Sequence, residues 1–355
     1  MLRISKRGEI SRKRSFTIKI LGVLGAFAFT SILLLLLGHN PFAVFYSMLT
    51  GAFSNFFRIR GTLIRAIPLA ITALGISIAF RMKFWNIGGE GQIMMGAFAA
   101  TFVALNFGDL PRALMLVLMA LAAFLFGGLW AFIPAVFKVK FGTNETLFTL
   151  MLNYIALKWV GYLQYNAWKD PRAMGFPKIA TFGTNARLPE VLGIHAGWII
   201  AILVAVFVYL LVSHTKKGYE INVVGGSVNT ARYSGMKVGR IIILSLILSG
   251  GIAGLTGFVQ VAGVSHTLSV NTSAGAGFTA IIVAWLAKLH PAYIILVSIL
   301  FAGMIQGGSY IQSAFAIPES VAVILHGIIL LFVLGSEFFI QYRINIDKKE
   351  EVEAE

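Results

Sequence analysis

The chain has 355 residues, of which 58% are hydrophobic and only 12% charged, with a formal net charge of +15 and no cysteine. A soluble domain carries about 25% charged residues, so the composition excludes an ordinary water-soluble fold, and the missing cysteines exclude disulfides and thiolate metal sites. In a soluble protein the positive balance would suggest nucleic acid, but here it sits in short segments beside apolar blocks, where it sets topology and meets anionic lipid headgroups.

The opening MLRISKRGEISRKRSFTIK has the basic character of a signal-peptide start. The apolar run behind it is too long for a cleaved core, and Gly-His-Asn-Pro-Phe follows it rather than a small-x-small cleavage site. A retained first span behind a cytoplasmic segment 1–19 is therefore expected. Ten apolar blocks run along the chain, at roughly 18–37, 63–80, 92–107, 113–137, 146–165, 198–213, 241–262, 277–289, 292–312 and 319–339. A block of ~20 apolar residues crosses a bilayer as a helix. The eighth is short and reads as tilted or re-entrant. The expected fold class is all-α: a polytopic membrane helix bundle of about ten transmembrane helices over residues 20–340, with a cytoplasmic tail at 341–355. Spans 2–5 and 7–10 are candidate halves of an inverted repeat, because an offset of five makes counterparts enter from opposite sides. Their sequences do not align by eye.

With the N-terminus inside, the cytoplasmic segments hold 20 lysines and arginines and the outer segments 8. The bias predicts both termini in the cytoplasm. Two loops are long: 166–197 outside, rich in Pro, Gly and Asn, and 214–240 inside. No G-x-x-x-x-G-K-[ST] occurs, so ATP binding through a P-loop is not expected. No paired metal ligands and no nucleophile with its base stand out, which argues against a membrane enzyme.

Polar residues at membrane depth are costly, and each is a candidate for function. In FWNIGGEGQ the glycines at 88, 89 and 91 weaken the helix while Asn86, Glu90 and Gln92 supply donors and acceptors. One reading is a broken helix lining a substrate path, with Phe84 and Trp85 beside it. The other is a cytoplasmic turn marked by Arg81 and Lys83. In TNETLFTLMLNYIALKW, Asn144 is a candidate helix cap with Glu145 in the first turn, whereas Asn153 and Tyr154 fall inside the span. NTSAGAGFTAIIVAW, opening at Asn271, reads either as a second helix break or as tight packing through small residues. Lys158 can snorkel or face a cavity. In the inside loop, Val228 to Met236 is expected to form a short helix between glycines.

The residues KKGYEINVVGGSVNTARYSGMKV followed by LSGGIAGLTG resemble the coupling segment of permease subunits of ABC importers. The branch is the one that includes ribose, branched-chain amino acid and nucleoside permeases. Gly218, Gly225, Ala231 and Gly235 match its loop pattern, and Ser249, Gly250, Ala253, Gly254 and Gly257 match the span behind it. Arg232 and Met236 depart from the usual alanine and isoleucine. FWNIGGEGQ is similar to F-N-I-G-x-E-G-Q of the nucleoside and simple-sugar permeases, with Trp85 as a departure. TNETLFTLMLNYIA is similar to T-N-E-x-x-x-T-x-M-L-N-Y of the same subgroup. The resemblance runs from about Arg65 to Gly335.

That resemblance implies a multi-pass subunit in the plasma or inner membrane of a prokaryote. It implies a second permease subunit, often a different chain, two cytoplasmic ATPase subunits that bind the ATP and magnesium, and a substrate-binding lipoprotein or periplasmic protein. This chain itself would hold no cofactor. Gly225, Val228, Asn229, Ala231, Arg232, Gly235 and Met236 would form the ATPase contact. The substrate would be a nucleoside, purine nucleosides foremost, with a simple sugar such as ribose as the alternative and an ion-coupled secondary carrier as the rival class. On this reading the path candidates are Phe84, Trp85, Asn86, Glu90, Gln92, Asn144, Glu145, Asn153, Tyr154 and Asn271. For Glu90 two roles stand open: hydrogen bonding to substrate, and capping of backbone N–H groups at the helix break.

Overall fold

A computed structural model describes residues 2–6 and 11–346. It forms two compact units, one of residues 1–58 with 303–355 and one of residues 59–302. The elements in chain order are β1 (Leu2–Lys6), α1 (Arg12–Leu36), α2 (Pro41–Phe53), α3 (Phe56–Arg81), α4 (Gly89–Asn106), α5 (Arg112–Phe141) and α6 (Glu145–Tyr162). They continue with β2 (Glu190–Val191), β3 (Ile194–His195), α7 (Gly197–His214), α8 (Lys216–Gly226), α9 (Val228–Tyr233), α10 (Val238–Gln260), α11 (Ala276–Leu286), α12 (Pro291–Phe315), α13 (Glu319–Gln341) and β4 (Tyr342–Ile346). The described chain is therefore all-α apart from two short antiparallel ladders, β1 with β4 and β2 with β3.

Every one of the ten apolar blocks is helical. Seven helices among the described residues are long and apolar enough to cross a bilayer: α1, α3, α5, α7, α10, α12 and α13. The exceptions, α4, α6 and α11, are the spans that carry the polar clusters. Helix α2 was not expected, since no apolar block was read between 37 and 63. Its signal is local: the Asn40 side chain accepts from the N–H groups of Phe42 and Ala43, and Pro41 occupies the first turn. The tail from 347 on lies outside the described residues.

In the first unit α1 packs along α13. The Gly22 backbone lies against Ser336 and Phe332, and Lys19 pairs with Glu337 at 3.3 Å. Leu34, Val44, Ile311, Ile317 and Leu325 form its buried core.

The second unit is built on α4, α5 and α10, which approach so closely that no side chain fits between them. A Cβ on Gly96 would strike the Gly254 backbone, one on Gly127 the Gly250 carbonyl, and one on Gly254 the Ala123 carbonyl. The SGGIAGLTG run of α10 is thus a backbone-contact surface, the arrangement by which helices pack where the hydrophobic effect offers no drive. A buried Thr72–Thr256 hydrogen bond of 2.9 Å adds a polar tie between α3 and α10.

The 166–197 loop is folded onto the second unit. Arg60 pairs with Glu190 at 3.0 Å, and Arg187 donates to the Phe182 carbonyl. His195 is buried, its Nδ1 accepting from Gly197 N–H at 3.2 Å. Burial, and then the neighbouring His266, push its pKa down to about 4.

Candidate functional site

The chain leaves α3 at Arg81 and runs without helix from Met82 to Gly88 before α4 begins. Met82, Phe84, Asn86 and Gly88 of this segment are buried, so the backbone and amide groups there need partners away from water. Asn86 and Gln92 supply two of them by pairing side chain to side chain in both directions, at 3.0 and 3.2 Å. The Asn86 carbonyl also accepts from Gly88 N–H. Asn153 reaches across from α6, donating to the Ile87 carbonyl at 2.9 Å and accepting from Gly91 N–H at 2.8 Å. Thr149, one turn earlier, accepts from Ile87 N–H at 3.2 Å. The first two polar clusters of the sequence therefore form one network that holds a broken helix.

Glu90 joins the third cluster to it. Its Oε1 accepts from Ser273 Oγ at 2.5 Å and Gly275 N–H at 3.1 Å, and its Oε2 accepts from Gly277 N–H at 2.8 Å. These are groups at the start of α11, so the carboxyl at the start of α4 caps a helix 183 or more residues away. Helix N-termini carry partial positive charge and free N–H groups, and two of them converge on Glu90. Three donors, two of them backbone, offset the cost of burying a group that is only 4% exposed. Gly277 is required by contact: a Cβ there would strike the backbone and carboxyl of Glu90. α4 and α11 are spans 3 and 8, the counterparts that an offset of five pairs, and both begin at a glycine-rich break.

The remaining expected residues fall elsewhere. Phe84 is buried in the turn after α3, while half-exposed Trp85 stacks on Trp285 at 5.4 Å and packs beside Phe80. Asn144 caps α6 by accepting from Leu147 N–H, and Glu145 pairs with Lys138 at 2.7 Å. Tyr154 and Asn271 leave the network and line an open cavity of about 760 Å³ together with Lys158 and Tyr162. Sequence reasoning missed Thr149, Ser273 and Gly277. Their signal lay in the hydroxyl and glycine content of the second and third stretches, but their partner lay in the first.

The 214–240 loop folds into α8 and α9. Val228, Asn229 and Arg232 are exposed on α9, and Tyr233 is 93% exposed, whereas Ala231 is buried against the bundle side. The expected helix thus ends at Tyr233. The residues behind it turn through Gly235, at φ +76°, with Met236 N–H donating to the Ala231 carbonyl. Gly225 faces inward, where a Cβ would overlap the Arg81 carbonyl.

Sequence comparison supplies the wider context. Residues 58–334 match the family described as branched-chain amino acid transport system / permease component. The glucose ABC transporter permease protein TsgB13 of Haloferax volcanii is 31% identical over 97% of this chain and 94% of its own length. The guanosine ABC transporter permease protein NupP of Bacillus subtilis is 29% identical over 92% and 95%. The nucleoside ABC transporter permease protein NupB of Lactococcus lactis is 29% identical over 93% of each. With apolar helices long enough to cross a membrane, a buried polar helix break and a family match over most of its length, the chain belongs to the permease component family of the branched-chain amino acid transport system.

Proposed function

We propose that this chain is the membrane-spanning subunit of an ATP-driven importer and forms, with a second permease subunit, the path for nucleosides, purine nucleosides foremost. The observation that carries the transport mechanism is α9, a six-residue helix exposed at Val228, Asn229, Arg232 and Tyr233 and anchored by buried Ala231. A short helix held at one buried point and joined to α10 by the 234–237 turn can pass a push from a docked ATPase into α10. Helix α10 in turn touches α4 and α5 backbone to backbone, so movement there reaches the helix break at Glu90. Both termini are assigned to the cytoplasm, and a binding protein on the opposite side delivers substrate.

Within this reading Glu90, Asn86, Gln92 and Asn153 hold the shape of the path, and Tyr154 and Asn271 are the candidates that face solute. The guanosine and nucleoside permeases among the relatives favour a nucleoside. The glucose permease, similar over 97% of this chain, favours a simple sugar as the second reading. Uptake of labelled guanosine, adenosine, uridine, ribose and glucose by cells with and without this chain separates them. Loss of nucleoside uptake alone is expected. Loss of sugar uptake alone would keep the importer and overturn the substrate.

A further inference from the structure

On α6 and the π-helical turn at Leu163–Ala167, Tyr154, Lys158, Tyr162 and Tyr165 stand at i, i+4, i+8 and i+11, which is one face of a helix. Asn166 on that turn and Asn271 from the segment before α11 complete the cavity of about 760 Å³. The three tyrosines are each more than half exposed. Among the described residues, no hydrogen bond or ion pair engages the Lys158 ammonium or the three phenolic hydroxyls. One lysine on a membrane helix can reach the interface alone. A cation, three hydroxyls and an amide on one face, with a second amide opposite, cannot be satisfied by hydrocarbon. This face therefore meets water and whatever polar solute the water carries.

The chemistry of the face selects that solute. Tyrosine rings offer flat surfaces for stacking, and their hydroxyls and the two amides both donate and accept. The ammonium only donates, so it favours carbonyl oxygens, ring nitrogens and hydroxyls, and it repels cations. The cavity lies in the ~300–1,000 Å³ range of small-molecule sites. We infer that this face of α6 is a substrate subsite on the translocation path, taking the base and sugar of a neutral nucleoside, with Lys158 as a specificity-determining donor. The inference rests on the nucleoside-importer reading and adds the place where the solute is held.

The absence of native cysteine gives a direct test. Gly161→Cys and Asn271→Cys are made in the full complex in membrane vesicles, sealed in both orientations, and labelled with a charged, membrane-impermeant thiol reagent. A Cβ at Gly161 meets only Val270 at 3.6 Å, so that variant leaves the helix undisturbed. Leu121→Cys, on an exposed apolar position of α5, is the control that should resist labelling. Labelling of both test positions, slowed about tenfold or more by saturating guanosine, is the expected result. Labelling that no solute slows, or labelling only after detergent denaturation, overturns the subsite. Protection by glucose and not by guanosine keeps the subsite and overturns the nucleoside reading. Lys158→Gln should raise the KM for guanosine on the order of tenfold, the loss of one charge-assisted hydrogen bond. An unchanged KM would remove Lys158 from it.

Discussion

Glu90 shows how the fold decides between two roles that the sequence leaves open. Among glycines and an asparagine it reads equally as a hydrogen-bonding group for substrate and as a cap for backbone N–H groups at the helix break. In the fold both of its oxygens are taken, by Ser273, Gly275 and Gly277. Glu90→Gln keeps the shape but turns one acceptor into a donor that faces N–H or O–H groups, at a cost of about 1–3 kcal/mol. The purified variant should melt at a lower temperature and lose uptake in proportion. Lost uptake with an unchanged melting temperature would return the carboxyl to the substrate path. His195 makes a second prediction. Unfolded, its imidazole binds a proton near pH 6.5, whereas folded it does so only near pH 4. Between these values the unfolded chain holds more protons, so stability is complete above about pH 6.5 and falls as the pH drops towards 4, by about 3 kcal/mol in full. His195→Asn keeps an acceptor for Gly197 N–H and should flatten the dependence of melting temperature on pH between 7 and 4.5.

At the scale of elements, the helices of the second unit are placed by what they lack. α4, α5 and α10 touch through Gly96, Gly127, Gly250 and Gly254, and α8 touches the end of α3 through Gly225. Gly254→Ala inserts a methyl group where the Ala123 carbonyl already sits, and overpacking of this kind costs about 1–3 kcal/mol. Gly327→Ala in α13 meets nothing within 4 Å and should be neutral or slightly stabilising. Melting temperatures of the two variants side by side test whether close approach, rather than glycine content, matters. The helices themselves were largely legible, because each apolar block is long and bounded by charge or glycine. Their ends were less so. α3 starts at Phe56 rather than at 63 and α5 runs on to Phe141, since amphipathic ends with Arg58, Arg60 and Lys138 continue a helix beyond its apolar stretch. α8 was missed because Lys216, Lys217 and Glu220 leave its 11 residues no apolar block, and α2 because it lies in a stretch where no span was read.

At the scale of the whole molecule, the proposed mechanism requires that an event at α9 reach the helix break at Glu90. Arg232 is exposed on α9 and engages no acid among the described residues, so Arg232→Glu should leave folding and melting temperature unchanged. If α9 is the ATPase contact, the same variant should reduce uptake at least several-fold and weaken recovery of the ATPase with the tagged permease. Full uptake and full co-purification would move the contact elsewhere.

By itself the sequence determined the class of the protein, its helices and its stock of polar residues, because hydrophobic length and composition are local properties that the bilayer imposes on any chain. It also marked the three polar stretches. Only the tertiary structure decided that they meet. The partners of Glu90 lie more than 180 residues away, and those of Asn153 more than 60. A hydrogen bond depends on separation in space and leaves no period or spacing in the chain. The same holds for Tyr154 and Asn153: adjacent in sequence, they point to different faces of α6, one into the cavity and one into the network, because successive residues on a helix are turned by about 100°.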